Sequence, residues 1–225
     1  MLNIRGFERE KELPRAVYFS NSYFTKSQLF SLSEQIYLIY KYAQKCTKPK
    51  ILEIGKGNGF VSDFFKKAEF DFLTYDINKN LLPDIEGNIL ELSHIVNHKV
   101  DIVVACEILE HLPFDMFEDS LKEISKVTNK YVVITLPEFK KFFGFGFLIR
   151  LPKLEMFSKQ IMLKLKANKI LSSEHFWEID YDIKTQRKNI ESIIYKYFSI
   201  VEKGSFDTNP YHNYYVLEKK MEQML

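Results

Sequence analysis

Hydrophobic positions along the chain fall into short continuous runs separated by stretches of helical periodicity. Leu29, Leu32, Ile36, Ile39 and Ala43 recur at helical spacing and predict an amphipathic helix over 26–46. Thr25 stands at its start as an N-cap, with Gln28 three residues on completing a capping box. The next run, Ile51, Leu52 and Ile54, reads as a buried strand that breaks into Gly55, Gly57 and Gly59. Phe60, Phe64 and Phe65 then lie opposite Lys66 and Lys67, which predicts a helix opening at the glycine turn. Further strands are expected at 70–75, briefly around 88–92, at 100–106 and at 131–136. Residues 78–87 are too short and too Pro- and Asn-broken for a full helix and should cross as a turn. Asp115 and Glu118 form a second capping pattern before the buried face Phe117, Leu121, Ile124 and Val127. Strands alternating with helices imply an α/β fold, with a parallel sheet covered on both faces.

After Pro137 the rhythm is interrupted until two strand-like runs, 198–203 and 213–218, whose short link suits a terminal antiparallel pair. The segment 139–170 sets Lys140, Lys141, Arg150, Lys153, Lys159, Lys164, Lys166 and Lys169 against one acid, Glu155. Leu154, Phe157, Ile161 and Leu165 fall on one helical face there, so a helical lid is expected, with Gly144 and Gly146 as hinges. One reading has this lid touch an anionic membrane or a lipid-linked substrate; the other packs its apolar side on the domain and leaves the lysines in water. The whole chain, 1–225, is read as one domain. It has a helical cover (1–48), a nucleotide-binding half (49–137), a lid or substrate insertion (138–197) and a terminal strand pair (198–225).

Composition narrows the function classes. A net charge of +2 gives no global field for a nucleic acid, and DNA is not an expected partner. The two cysteines, Cys46 and Cys106, are far apart and lack metal-type spacing, which argues against a disulfide framework. The first ten residues are charged where a signal peptide would be apolar, and the longest apolar run, 142–149, is far short of the roughly 20 residues of a spanning helix. A soluble cytoplasmic protein is the expectation.

The chemistry is concentrated around the glycine turn. A strand, a glycine-rich turn and a helix N-terminus let a ligand approach bare backbone and unpaired N–H groups. The spacing Gly55-x-Gly57-x-Gly59 departs from the dinucleotide fingerprint, whose third glycine would fall at Phe60. Three companions add weight: Glu53 within the first strand, Asp76 ending the second, and the run Cys106-Glu-Ile-Leu-Glu-His-Leu112 ending the fourth.

On Leu52-Glu-Ile-Gly-Lys-Gly-Asn-Gly59, Tyr75-Asp76, Gly87-Asn88 and Asp101 to Leu112, the chain resembles the class I S-adenosylmethionine-dependent methyltransferases, in particular small bacterial enzymes of the quinone type. The resemblance implies a Rossmann-like, seven-stranded, mostly parallel sheet with an antiparallel last strand, flanked by helices. It implies S-adenosyl-L-methionine as cofactor, with Glu53 and the backbone of Gly55 and Gly57 at its methionyl end, Gly59 completing the turn, Asp76 on the ribose and Ile77 on the adenine. Asn88 would accept from the adenine amino group, and Cys106 would offer backbone to the methionyl amino group. Lys56 is read as pointing to solvent.

For catalysis, His111 faces the expected crevice and His175 lies beside the only tryptophan, in Glu174-His-Phe-Trp-Glu178. Each has a structural alternative: His111 with Glu110 as a loop holder, His175 as an aromatic anchor. His94 and His98 lack a third ligand, so no metal site is expected. The predicted activity is methyl transfer to a small molecule, a glycan or a lipid-linked glycan, on oxygen before nitrogen or carbon. The rival is a scaffold or sensor that binds the cofactor without transferring its methyl group.

Overall fold

A computed structural model of the 225-residue chain describes residues 7–21, 23–149, 151–152, 157–167 and 170–220. In chain order the elements are α1 (Phe7–Glu10), α2 (Lys26–Ala43), β1 (Lys50–Ile54), α3 (Phe60–Lys67), β2 (Asp71–Asp76), β3 (Ile85–Glu86), α4 (Leu92–Ile95) and β4 (Val100–Cys106). They continue with α5 (Phe117–Val127), β5 (Thr128–Pro137), β6 (Lys140–Ile149), β7 (Phe157–Lys166), α6 (Arg187–Tyr197), β8 (Phe198–Phe206) and β9 (Asn209–Lys219).

Seven strands form one sheet in the order β3-β2-β1-β4-β5-β9-β8. Pairing is parallel from β3 through β5, and only β9 runs against its neighbours. This is the Rossmann-like α/β sheet with an antiparallel last strand that the family resemblance implies, and its parallel part is what the alternation of runs predicts. Leu52 and Ile54 point to a core shared with α4, α5 and α6, whereas Ile51 points to a second core under α2 and α3. Successive side chains alternate across a strand, so burial on both faces explains why β1 and β4 read as continuous apolar runs.

Several local expectations give way to competing physics. The brief third strand lies at Ile85–Glu86, not 88–92, because the Asn88 side chain accepts the Leu90 N–H and commits residues 89–91 to a 3-10 turn. Thr25 does cap α2, accepting the Gln28 N–H at 3.1 Å, but the Gln28 side chain reaches Glu107 and does not close a capping box. No side chain caps α5, which grows out of a 3-10 turn at 114–116; Glu118 pairs with Lys196 at 2.7 Å.

The largest correction concerns 139–170. Its described part is a two-stranded antiparallel hairpin, β6 with β7, in a sheet of its own. Ile161, Leu163 and Leu165 alternate with Met162, Lys164 and Lys166, and this period of two, with the β-favouring aromatics of β6, outweighs the i, i+4 pattern of Ile161 and Leu165. Leu154 lies outside the described residues. Gly144 and Gly146 sit within β6, where Gly144 makes room for Met162, so neither is at a hinge.

Trp177 is 1% exposed, packs against Phe114 and Phe117, and donates its indole N–H to the Leu112 carbonyl at 3.1 Å. It fastens the loop after the hairpin to the turn after β4. Trp177→Ala should therefore lower stability by about 3–5 kcal/mol, read by urea denaturation followed by circular dichroism.

Candidate functional site

The parallel strands end along one edge of the sheet, and a cleft of about 450 Å³ opens there. Its floor is the glycine turn. Gly55, Gly57 and Gly59 have φ of 83°, 53° and 79°, a left-handed backbone that favours glycine at each position. A Cβ on Gly55 would also meet the Ile108 side chain at 2.9 Å. The Gly55 N–H bonds the Tyr75 carbonyl at 2.8 Å, and Gly59 caps α3.

Asp76 holds this turn in place. Its two carboxylate oxygens accept the backbone N–H groups of Lys56 at 2.7 Å and Asn78 at 2.8 Å. Burial still raises its pKa above the usual carboxylate value, the backbone bonds opposing the shift. Glu53, 6% exposed, sits beneath the turn with Oε2 unpartnered. Burial, aided by the nearby Asp76 charge, pushes its carboxyl up to about 8. Ile77 and Cys106 are in the cleft wall, as are Gly55 and Gly57. Burial raises the Cys106 thiol well above its usual range, which does not suit a nucleophile. Asn88 is spent on the Leu90 N–H and is not among the wall residues, whereas its neighbours Gly87 and Ile89 are. Gly59 serves the helix cap and also stays out of the wall. Contrary to the solvent-pointing expectation, half-buried Lys56 sends its amine to the Leu82 carbonyl at 2.6 Å.

The other end of the cleft is built from segments far apart in the chain. The turn after β4 brings Glu107, Glu110 and His111; the loop after β7 brings Ser172, Glu174 and His175; the start of β9 brings Tyr211 and His212; α2 brings Gln28 and Gln35. The structure thus joins His111 and His175, 64 positions apart, as two rings 5.1 Å apart and nearly perpendicular. His111 Nδ1 lies 3.1 Å from the Glu174 carbonyl, which can only accept, so the proton is on Nδ1 and Nε2 keeps a lone pair. Burial, with the neighbouring His175, depresses His111 to about 3, so it is neutral at ordinary pH. His175 behaves oppositely. Burial alone would depress it, but the hydrogen bond to Glu178 at 3.3 Å and the charge of Glu110 raise it overall. Tyr211 donates to the same Glu178 oxygen at 2.7 Å.

Two further carboxylates face the cleft with an oxygen unpartnered, Glu10 Oε1 and Glu110 Oε2. Burial raises both, Glu110 to about 8. Glu110, His111 and His175 offer one ligand atom each, all within 4.8 Å of one another, close enough to converge on one hydrogen-bonding group or one metal ion.

Sequence reasoning missed Glu107, Gln28, Gln35 and His212. Glu107 has φ 58° and accepts from Gln28 at 3.0 Å and Gln35 at 2.8 Å, with His212 Nδ1 at 3.2 Å. The spacing of seven between the glutamines was the available signal, since it places both on one face of α2. Glu10, Tyr18 and Tyr23, from the N-terminal cover, left no such signal.

The folded chain superposes on a set of solved structures, most of them described as methyltransferases. A protein from Pyrococcus horikoshii matches with TM-score 0.57 at 14% identity, over 91% of this chain and 99% of that one. An S-adenosylmethionine-dependent methyltransferase from Clostridium acetobutylicum matches with TM-score 0.55 at 11% identity, over 85% and 92%. Magnesium protoporphyrin IX methyltransferase from Synechocystis, with bound S-adenosylmethionine, matches with TM-score 0.54 at 13% identity, over 97% and 93%. The fold is that of the class I methyltransferases. No protein-family model and no curated protein sequence matches the chain, so at these identities the likeness concerns the methyltransferase fold alone.

Glu53 and Glu110 give this cleft a measurable pH signature. Each has a folded pKa near 8 against about 4.3 for an unfolded glutamate. The proton held in the folded state stabilises fully below the unfolded value and is lost as pH rises through the folded one. Thermal stability of the free protein should therefore fall between about pH 5 and 8. Glu53→Gln and Glu110→Gln should each flatten that fall in a melting series.

Proposed function

We propose that the protein is an S-adenosylmethionine-dependent methyltransferase whose acceptor is a glycan, free or lipid-linked, or a similarly donor-rich small molecule. The observation that carries the reading is the set of three buried carboxylate oxygens without partners, all in the wall of one cleft in this fold. An orphaned buried acceptor is costly, so such atoms point to donors supplied by a ligand. Glu53 lies under the glycine turn, where the cofactor's methionyl ammonium would satisfy it. Asp76 would hold the ribose while keeping the turn closed, and Ile77 would pack on the adenine. Asn88, committed to its own turn, would contribute its backbone.

Glu10 and Glu110 lie in the same cleft as Tyr18, Tyr23 and Tyr211. Hydroxyl or amino groups of a sugar would pair with the carboxylates, and its faces would pack on the tyrosines. Two solved proteins of this fold are described as acting on a glycopeptide and on a porphyrin, so the fold itself admits varied acceptors.

Bound S-adenosylmethionine supplies an electrophilic methyl group on a sulfonium; the protein's residues supply alignment and a place for the proton. His111, neutral and oriented by the Glu174 carbonyl, presents Nε2 as the acceptor of a hydroxyl proton. His175, held by Glu178, and the protonatable Glu110 position the same acceptor group. This arrangement favours transfer to oxygen. The reading places the enzyme in the cytoplasm.

Isothermal titration tests the first step. S-adenosylmethionine should bind, and at pH 7 the ammonium beside Glu53 should drive off its proton, giving an enthalpy that depends on the buffer's own ionisation. Glu53→Gln should remove that dependence, and Asp76→Ala should abolish binding. A wild-type chain that shows no binding would overturn the proposal. Transfer itself is read with radiolabelled S-adenosylmethionine and a panel of free and lipid-linked sugars. His111→Ala should cut kcat by about 10²–10⁴-fold with cofactor affinity retained; tight binding with no transfer to any acceptor would favour the sensor reading.

A further inference from the structure

We propose that one face of the β6–β7 hairpin docks on an anionic lipid bilayer and brings the cleft to the membrane surface. In the register of the hairpin, Phe143 lies opposite Leu163, Phe145 opposite Ile161 and Lys141 opposite Leu165. Directly opposed residues, and those two apart along a strand, share a face. That face carries Phe143, Phe145, Ile149, Ile161, Leu163 and Leu165, exposed by 44–72%. Isolated exposed apolar residues need no explanation, but a continuous apolar face does.

The reverse face is the one turned to the protein. Phe142 and Met162 are half-buried on it, Lys164 pairs with Glu138 at 2.6 Å and Lys140 with Asp180 at 3.1 Å. These contacts fix the base of the hairpin and leave the apolar face pointing outwards.

The charge pattern identifies the occupant. β6 and β7 carry five lysines and no acidic residue. Lys141 stands on the apolar face at its base and Lys159 on the same face toward the other end, across from Phe147, while Lys166 ends β7 on the reverse face. An apolar face flanked toward both ends by lysines matches the boundary between acyl chains and anionic headgroups. A second copy of the chain is a poorer fit. Ten residues of strand span about 34 Å, and two strands about 10 Å across offer about 340 Å², well below the roughly 800 Å² per partner of a stable interface.

The hairpin also leaves from, and returns to, the edge of the cleft. Two residues before it the Glu138 N–H bonds the carbonyl of Tyr211, a cleft residue, and the chain after buried Ala167 continues to Ser172, Glu174 and His175 in the cleft wall. Docking would present that wall to a headgroup-linked acceptor. This consequence rests on the methyl-transfer reading; the docking itself does not.

Co-sedimentation with vesicles of phosphatidylcholine, alone or with phosphatidylglycerol, tests the proposal. The protein should pellet with the anionic vesicles and be released by salt. Phe145→Asp with Leu163→Asp should weaken retention about tenfold or more, and Lys141→Gln with Lys166→Gln should weaken it on anionic vesicles only. A Phe145→Trp variant, which keeps the face apolar, should shift its emission to the blue on adding vesicles. Failure of the wild type to pellet, undiminished retention of the double aspartate variant, or an unmoved emission would each overturn the docking. A dimer in analytical ultracentrifugation that the aspartate variant dissociates, without vesicle binding, would assign the face to a second copy. Titration of the same samples with S-adenosylmethionine keeps the two readings apart, since vesicle binding without cofactor binding would sink methyl transfer and leave the docking.

Discussion

The bond between the Asp76 carboxylate and the backbone N–H of Lys56 ties the turn after β1 to the end of β2. Parallel strands leave their last carbonyls and the next helix's first N–H groups along one edge, and something must satisfy them. Asp76 does so for the glycine turn, the Tyr75 carbonyl does so for Gly55, and Gly59 lets α3 begin without a side-chain cap. The left-handed glycines are then held by their neighbours, so the backbone lies bare in front of the cleft. Every other feature of the site is placed relative to this fixed turn.

Electrostatics gives the cleft its character. Carboxylates gather there while few cations do, and burial drives Glu53 and Glu110 to hold their protons near neutrality. A neutral carboxyl costs far less to bury than a charged one, which is how two buried glutamates are tolerated in one cleft. Glu107 takes the other route: the side chains of two glutamines and a histidine surround it. The same residue type therefore serves as a fixed strut in one place and a proton reservoir in another, and the difference is set by neighbours contributed from distant parts of the chain.

How much of this was legible in the sequence follows from the range of the interactions. The glycine turn, Glu53, Asp76 and the β4 terminus are local features, written in consecutive residues, and they were readable. The parallel sheet followed from the alternation of strands and helices, and its antiparallel end from the short link between 198–203 and 213–218. The hairpin was misread because Ile161 and Leu165 satisfy two periodicities at once, and only the residues between them decide. The pairing of His111 with His175 and the clamp on Glu107 depend on contacts between residues 64 to 105 positions apart, for which periodicity carries no signal. The bond of the Asn88 side chain to its own turn was hidden for a related reason: it is a competition for local backbone that motif spacing does not weigh.

The reversal of β9 has an effect on how the cleft comes into being. A parallel strand reaches this edge with its last residue, whereas β9 reaches it with its first, so Tyr211 and His212 arrive beside Glu178 and Glu107. During synthesis the segment from β1 to β5 is complete long before these residues leave the ribosome. β5 must stay unpaired on its outer side until β9 inserts between it and β8. The glycine turn can therefore be folded on the nascent chain, but the far end of the cleft cannot be assembled until almost all of the described chain has emerged. The two ends of the cleft are completed at different times, in an order set by the strands.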